Sequence, residues 1–292
     1  MEWMRRTVVG AAAALAIAGF GPGADASSVL SQTEGSIFAT PASDMDTGTG
    51  LTPVASSAAY ERPPELNDGA IHMAASAAVG SLGASADLSI TDAPGTLSSP
   101  YYTTAQAQGY ATFQDRWTFS DRPLDTAGTL RVTLHFAGTA SANATGATPN
   151  GSGRFTFDIT SLEAFDNPHA TQNYDSGIVQ VANDDAVLEL SFLYGRPVIV
   201  NGSLVARVRL DSLPDAYSYS GGGAADFTQG AEITSLEVQD AVGQWSTSFT
   251  LTTESGGQYP FPTPEPSEVA ETAAAVVALA TCRAQARPRR ES

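Results

Sequence analysis

The sequence predicts an all-β protein: an antiparallel two-sheet sandwich with jelly-roll-like connectivity, flanked by an N-terminal signal helix and a short C-terminal apolar helix. Many short stretches alternate apolar and polar residues, which is typical of half-buried strands. Gly, Pro, Asn and Asp separate these stretches, and no segment outside the two ends has a helical period. Alternating strands need a second apolar face to pack against, and a sandwich supplies it.

The first 26 residues are interpreted as a secretory signal peptide. Arg5 and Arg6 precede an apolar run at 8–20, and Ala24 and Ala26 occupy the two positions that a signal peptidase reads. The apolar run is shorter than the roughly 20 residues that a membrane-spanning helix needs. We therefore expect export, with cleavage by signal peptidase after Ala26.

The next segment, 27–66, is rich in Ser, Thr, Ala and Pro. This composition is typical of a linker, so the segment is predicted to be a linker or a loosely attached arm. From residue 67 the pattern changes to strands separated by turns. The β-sandwich domain is therefore predicted over residues 67–260.

Ten strands are predicted within that domain. In chain order they cover residues 73–79, 83–91, 107–119, 129–138, 154–160, 176–182, 186–195, 203–212, 231–240 and 244–253. The clearest is 129–138, in which Leu130, Val132, Leu134 and Phe136 share one face and polar residues share the other. Comparable apolar faces are expected in four further strands: Phe155/Phe157/Ile159, Leu188/Leu190/Phe192/Tyr194, Leu204/Ala206/Val208/Leu210 and Trp245/Thr247/Phe249/Leu251.

The last segment, 261–292, combines three features in a fixed order. Pro264, Glu265 and Pro266 form an extended triplet, because proline stops a helix from continuing backwards. A weakly apolar stretch follows at 269–282, and then a basic cluster of Arg283, Arg287, Arg289 and Arg290. Positive charge beside an apolar segment stays on the cytoplasmic side of a membrane. The segment is therefore predicted to be a temporary inner-membrane anchor.

This order of triplet, apolar helix and basic end resembles the PEP-CTERM sorting signal. The resemblance implies processing by an exosortase, a membrane transpeptidase-like enzyme of Gram-negative bacteria that make exopolysaccharide. The body, above all 224–259, is similar to the β-sandwich ectodomains often attached to such signals, which mostly have no assigned activity. The resemblance therefore implies an exported cell-surface or extracellular protein that reaches its place through the inner membrane and periplasm.

Charge and motifs narrow the function classes. The chain carries 14 Lys and Arg against 31 Asp and Glu, a net charge of −17. Such a body repels phosphate backbones, so nucleic acid is not an expected partner. HExxH, GxSxG, Walker and CxxC motifs are all missing from the sequence. We therefore expect no enzymatic activity, no resident metal and no cofactor.

Histidines and aspartates offer weaker hypotheses. His72, His135 and His169 are each interpreted as ordinary surface or loop residues. The pairs Asp44/Asp46 and Asp184/Asp185 offer oxygen ligands for calcium, but neither belongs to a complete calcium loop. Turn chemistry is the simpler interpretation of both pairs.

Loop tyrosines are the best sequence indication of binding. Tyr101 and Tyr102 follow a proline, and Tyr217 and Tyr219 lead into a glycine run. An exposed tyrosine ring presents a flat apolar face that stacks on a sugar ring. Covering the ends of the sandwich is the alternative role.

Three functions follow in order of preference. The first is a non-enzymatic surface or matrix protein, sorted by an exosortase and associated with exopolysaccharide or biofilm. The second is a carbohydrate-binding module that uses the loop tyrosines. The third is a secreted hydrolase whose carboxylates come from distant strands.

Overall fold

A computed structural model describes residues 27–37, 40–49, 53–62, 69–94, 104–164, 170–239 and 243–259. Every regular element in these ranges is a β-strand. The strands are β1 (Ser28–Ile37), β2 (Thr40–Thr49), β3 (Val54–Arg62), β4 (Gly69–Ala78), β5 (Ser81–Pro94), β6 (Thr104–Phe119), β7 (Ala127–Thr145), β8 (Ala147–Ser161), β9 (Ala170–Asp175), β10 (Val181–Leu193), β11 (Pro197–Ser212), β12 (Ser218–Gln239), β13 (Trp245–Ser246) and β14 (Leu251–Thr253).

The strands form two seven-stranded antiparallel sheets. Sheet A has the order β2-β1-β6-β11-β8-β9, and β14 also pairs with β6. Sheet B has the order β10-β7-β12-β5-β4-β3, and β13 also pairs with β12. The sheets stack so that β1 lies against β4, β6 against β5, β11 against β12 and β8 against β7. The predicted all-β class and the two-sheet sandwich are confirmed.

The core lies between the sheets and is filled by alternate residues of each strand. Along β6 and β11, buried positions alternate with half-buried ones without a break. Five of the largest buried side chains are aromatic rings that pack in two groups. The ring centres of Phe119 and Phe192 lie 4.7 Å apart. The ring centre of Phe136 lies 5.7 Å from that of Phe155 and 5.4 Å from that of Phe227. The apolar faces predicted for β7, β8, β10 and β11 are all buried.

The prediction that 27–66 is a linker or a loosely attached arm is wrong for the strands in this segment. β1 hydrogen-bonds between β2 and β6 in sheet A, and β3 pairs with β4 in sheet B. Small residues serve close packing here, because a Cβ added at Gly35 would lie 2.7 Å from Met73 Sδ on the facing sheet. Ser31 and Thr33 are fully buried in the same gap. A composition that resembles a linker therefore belongs to a tightly spaced part of the sandwich.

The predicted strand at 244–253 is also wrong as a single element. β13 pairs with β12 in sheet B, whereas β14 pairs with β6 in sheet A, so the chain crosses between the sheets. The Arg131 guanidinium lies 3.7 Å from the centre of the Trp245 ring on the outside of sheet B. Phe249 instead reaches Phe119 of sheet A, with 5.4 Å between ring centres. Because the segment contacts both sheets, it forms two short strands instead of one.

The strand predicted at 176–182 is replaced by two shorter features. β9 ends before it, and Val179 forms an isolated bridge with Gly153. Gln180 then accepts a hydrogen bond from the backbone N–H of Ala140, which carries the chain towards sheet B. Val181 and Ala182, at the end of this stretch, are the first residues of β10 in sheet B, so the chain crosses between the sheets before them.

The edge strands β2 and β3 lie at the same side of the sandwich and are joined by a side chain. The Asp44 carboxylate on β2 accepts a hydrogen bond of 3.0 Å from the backbone N–H of Ser57 on β3. It also accepts one from the backbone N–H of Met45 at 3.0 Å. One outward-facing amide of an edge strand is thereby satisfied by the opposite sheet.

Candidate functional site

One carboxylate is buried inside the sandwich. Asp115 lies on β6 between Phe113 and Trp117, on the face that points to the core, and is 1% exposed. Its carboxylate oxygens accept hydrogen bonds from the Ser255 N–H at 3.0 Å, the Ser255 hydroxyl at 2.8 Å and the Tyr259 hydroxyl at 2.7 Å. A buried carboxylate is costly unless its oxygens are satisfied, and here they are.

These contacts hold the end of the described chain against the domain. Tyr259 is 4% exposed and packs edge-on against Trp117, with 4.7 Å between ring centres. Ahead of it, β14 pairs with the end of β6. We name Asp115, Ser255 and Tyr259 the C-terminal clamp. It fixes the residues that lead directly into the predicted sorting signal.

The clamp is a feature that sequence reasoning missed. The segment 107–119 is predicted as a strand, and every second residue from Ala105 to Phe119 is small or apolar except Asp115. A carboxylate on an apolar face is the signal that could have found it, because burial demands partners. The partners could not be named, since they lie 140 and 144 positions away.

Burial raises the pKa of Tyr259 above its ordinary value of 10.0, and the negative charge of Asp115 raises it further. The folded protein therefore keeps this proton at pH values where the unfolded chain has lost it. The clamp's contribution to stability is complete below pH 10 and falls as the pH rises above it.

We expect Tyr259→Phe to make stability less sensitive to alkali. Between pH 10 and 11, wild type should lose about 1 kcal/mol more stability than the variant. Urea unfolding of both proteins at each pH measures this difference. Burial also raises the pKa values of Tyr110, Tyr174 and Tyr194, but their contribution is common to both proteins. Equal slopes would show that Tyr259 ionises normally.

The outer face of sheet B carries acidic side chains, several of which form salt bridges. Arg131 forms salt bridges with Glu189 at 2.7 Å and Glu237 at 3.4 Å. His135 Nδ1 lies 2.7 Å from an Asp185 carboxylate oxygen on β10. Glu232 on β12 is in register with His135 on its other side. These charged groups share an open sheet face, and each cation there has a carboxylate neighbour.

The outer face of sheet A has a different chemistry. Its central strands present amides and hydroxyls outward, and all of these side chains are half-buried. We name this surface the amide face; it consists of Gln32, Gln106, Gln108, Tyr110, Thr112, Gln114, Asn201, Ser203 and Arg207. Register places β1, β6 and β11 side by side across it.

The structure separates the predicted sugar-binding tyrosines. Tyr217 is 75% exposed in the turn before β12, as a stacking residue requires. Tyr219 is 1% exposed, because it is an inward position of β12. It presents no ring face to an external ligand, so its predicted sugar-binding role is wrong. Tyr101 and Tyr102 lie outside the described residues.

The aspartate pairs considered for calcium have other partners. Asp44 joins the two edge strands as described above, and Asp46 accepts a hydrogen bond from the backbone N–H of Thr47 at 2.9 Å. The Asp184 carboxylate lies 3.4 Å from the Tyr174 hydroxyl, and Asp185 pairs with His135. Within the described ranges, no group of three or more His, Asp, Glu or Cys side chains is arranged to hold a metal ion.

Several predicted residues lie outside the described residues. They include His169 and the residues of the two end signals: Ala24, Ala26, Pro264, Glu265, Pro266, Arg283, Arg287, Arg289 and Arg290. In the part of the chain that is described, no helix has the length and hydropathy to cross a membrane. His72 is described and exposed, and it is in register with Asp87 on the neighbouring strand. No protein-family model matches the chain, and no curated protein matches it.

Proposed function

We propose that this chain is an exported, non-enzymatic surface or matrix protein that is sorted through its C-terminal segment. Two end signals support the proposal: the basic and apolar leader at 1–26, and the Pro264–Glu265–Pro266 triplet with its apolar stretch and arginines. Between them lies an acidic sandwich in which Arg131, Arg154, Arg196 and Arg209 form salt bridges with neighbouring carboxylates. Such a domain suits a structural or adhesive role outside the cell.

The observation that carries the proposal is the position of the C-terminal clamp. Tyr259 is the last described residue, and its hydroxyl donates to buried Asp115. Pro264 follows five positions later, which corresponds to about 17 Å of extended chain. The clamp therefore holds the chain at a point five residues before the triplet. This arrangement suits a sorting signal that is attached to a finished domain and later removed.

The proposal includes the partners and the finer architecture. Signal peptidase removes the leader, and an exosortase-type enzyme of a Gram-negative cell processes the C-terminus after transient anchoring in the inner membrane. The mature domain, a sandwich of jelly-roll-like connectivity, then associates with exopolysaccharide at the surface or in a biofilm. Helices at the two ends are part of the same proposal.

Replacement of the triplet tests the sorting step. We expect Pro264→Ala, Glu265→Gln and Pro266→Ala together to block processing, so that the chain retains its C-terminus through Ser292. Mass spectrometry of the protein from fractions of a native host measures the mature end. Glu291→Gln, beyond the arginine cluster, is the matched control and should be processed normally. An exported wild-type chain that is intact through Ser292 would refute sorting by this signal.

The two alternative functions are supported by fewer observations. A carbohydrate-binding module that uses loop tyrosines is favoured by the exposure of Tyr217 and weakened by the burial of Tyr219. We expect Tyr217→Ala to reduce retention on host polysaccharide if that loop is the binding site.

A hydrolase would need two carboxylates facing each other across a cleft. Those on sheet B instead flank Arg131 on an open face.

A further inference from the structure

The amide face forms rows of polar groups across three strands. One row joins Gln32 on β1 and Tyr110 on β6 and ends at the apolar Val205 on β11. The next row joins three polar residues, Glu34, Gln108 and Arg207. Neighbouring strands lie about 4.8 Å apart, so polar groups repeat at intervals comparable with the length of one sugar ring. Amide and hydroxyl side chains can both donate to and accept from sugar hydroxyls. Outward side chains also follow one another along β6, among them Gln108, Tyr110 and Gln114. The face therefore matches a hydroxyl-rich chain lying along β6, with Arg207 beside Gln108.

Among the described residues of this face, Arg207 is a cation that forms no salt bridge. Five other arginines with described side chains form salt bridges, namely Arg116, Arg131, Arg154, Arg196 and Arg209. Arg207 forms none with the described residues, and its Nε is buried without a hydrogen-bond partner there. Burial lowers the pKa of Arg207, and the charge of Arg209 lowers it further, while the charge of Asp211 acts in the opposite direction. A carboxylate from outside would supply the missing acceptor and charge.

A second polar atom on the face is also unsatisfied. Gln114 Oε1 is buried without a hydrogen-bond partner among the described residues. It lies on β6, the same strand as Tyr110, and is in register with Asn201 on β11. Arg207 is in register with Gln108, so the two groups lie six positions apart along β6, or roughly 20 Å. Each unmet group is unusual by itself, because buried polar groups are normally hydrogen-bonded. Both side chains are half-buried on the same face, so an extended polymer that carries hydroxyls as well as carboxylates can contact both of them.

The distribution of charge makes this face accessible to an anion. The carboxylates of Asp185, Glu189, Glu232 and Glu237 belong to the outer face of sheet B, on the opposite side of the sandwich. On the outer side of sheet A, Glu34 accepts a hydrogen bond from Gln32, and Asp211 pairs with Arg209. Asp158 of β8 lies in register with Asn201 on the same side. A negatively charged polymer is repelled by the acidic face and meets a nearly neutral surface with a free cation on the other.

We propose that the amide face binds an extended polysaccharide that carries carboxylate groups. The Tyr110 ring lies against a sugar face, Gln108 and Gln114 bond to hydroxyls, and Arg207 pairs with a carboxylate. This inference rests on the proposed function, since it requires the domain to be outside the cell. It names the class of polysaccharide and places the contact on a sheet face, away from the Tyr217 turn.

The exported protein, purified from its host, tests the site directly. Alginate is the carboxylated probe, carboxyl-reduced alginate the matched neutral probe, and EDTA keeps the polymers from gelling with calcium. We expect wild type to bind alginate and to bind the reduced polymer at least tenfold more weakly. Arg207→Gln should weaken alginate binding about tenfold, and Tyr110→Ala should weaken binding to both polymers.

Arg196→Gln is the control, because it removes the same charge from the turn before β11. Its binding should match wild type, and circular dichroism should show that every variant keeps the fold. Binding that survives both Arg207→Gln and Tyr110→Ala would overturn the site, and failure to bind alginate would overturn the carboxylate assignment. Neither result would affect C-terminal processing, which mass spectrometry measures separately.

Discussion

Asp115→Ala is expected to lower the free energy of unfolding by about 4 kcal/mol, because it leaves several buried donors without an acceptor. The donors are the Ser255 N–H and hydroxyl and the Tyr259 hydroxyl. Urea unfolding measures the loss. Fluorescence of Trp117 is a suitable probe, since its ring contacts Tyr259.

Two further variants make the test specific. Asp115→Asn keeps the shape of the side chain and one acceptor oxygen, so we expect a smaller loss than for alanine. Asp158→Ala removes a carboxylate from an outward position of β8, where its described hydrogen-bond partner is the Thr160 hydroxyl at 3.2 Å. A surface change of this kind usually costs less than about 0.5 kcal/mol. If Asp115→Ala costs no more than Asp158→Ala, the clamp does not stabilise the fold.

Gly153→Ala is expected to cost about 3 kcal/mol through overpacking. A Cβ at this position would lie 2.1 Å from Phe227 Cζ. The Phe227 ring is fully buried and stacks on Phe136 at 5.4 Å with 5° between the planes, so it has no room to move aside. Gly138 approaches the same ring from β7, and a Cβ there would also lie 2.1 Å from it.

A smaller residue at 227 provides the control for this prediction. Phe227→Leu alone leaves space in the core and destabilises the protein. Combined with Gly153→Ala, it makes room for the new methyl group, so the double variant should lose less stability than the sum of the two single changes. Urea unfolding of the four proteins measures the coupling. Strict additivity would show that Gly153 is not required for the ring.

The strands of the sandwich could be predicted where burial alternates along the chain. Leu130, Phe155 and Leu204 each belong to a predicted apolar face that is buried in the structure. The segment 27–66 escaped prediction because its small residues fill a narrow gap, and small residues are also typical of linkers. The segment at 244–253 escaped because its contacts alternate between two sheets, and a local pattern carries no such information.

The candidate sites depended even more on distant contacts. Tyr217 and Tyr219 look equivalent in sequence, yet the second is the first inward position of β12 and is buried. That difference depends on where the strand begins. Arg207 alternates with the predicted apolar face of its strand, but its lack of a salt bridge among the described residues depends on its neighbours on β6 and β8. Only strand register reveals which residues these are.

The hydrogen bond from Ser57 to Asp44 bears on how copies of the protein behave when crowded. Exposed strand edges invite a second chain to pair with them, and repeated pairing yields fibrils. At β3, one outward amide already has an acceptor, and that acceptor carries a negative charge. A neighbouring molecule meets an occupied donor and electrostatic repulsion at the same place. Densely packed copies should consequently stay separate particles, and adhesion would have to come from their flat faces.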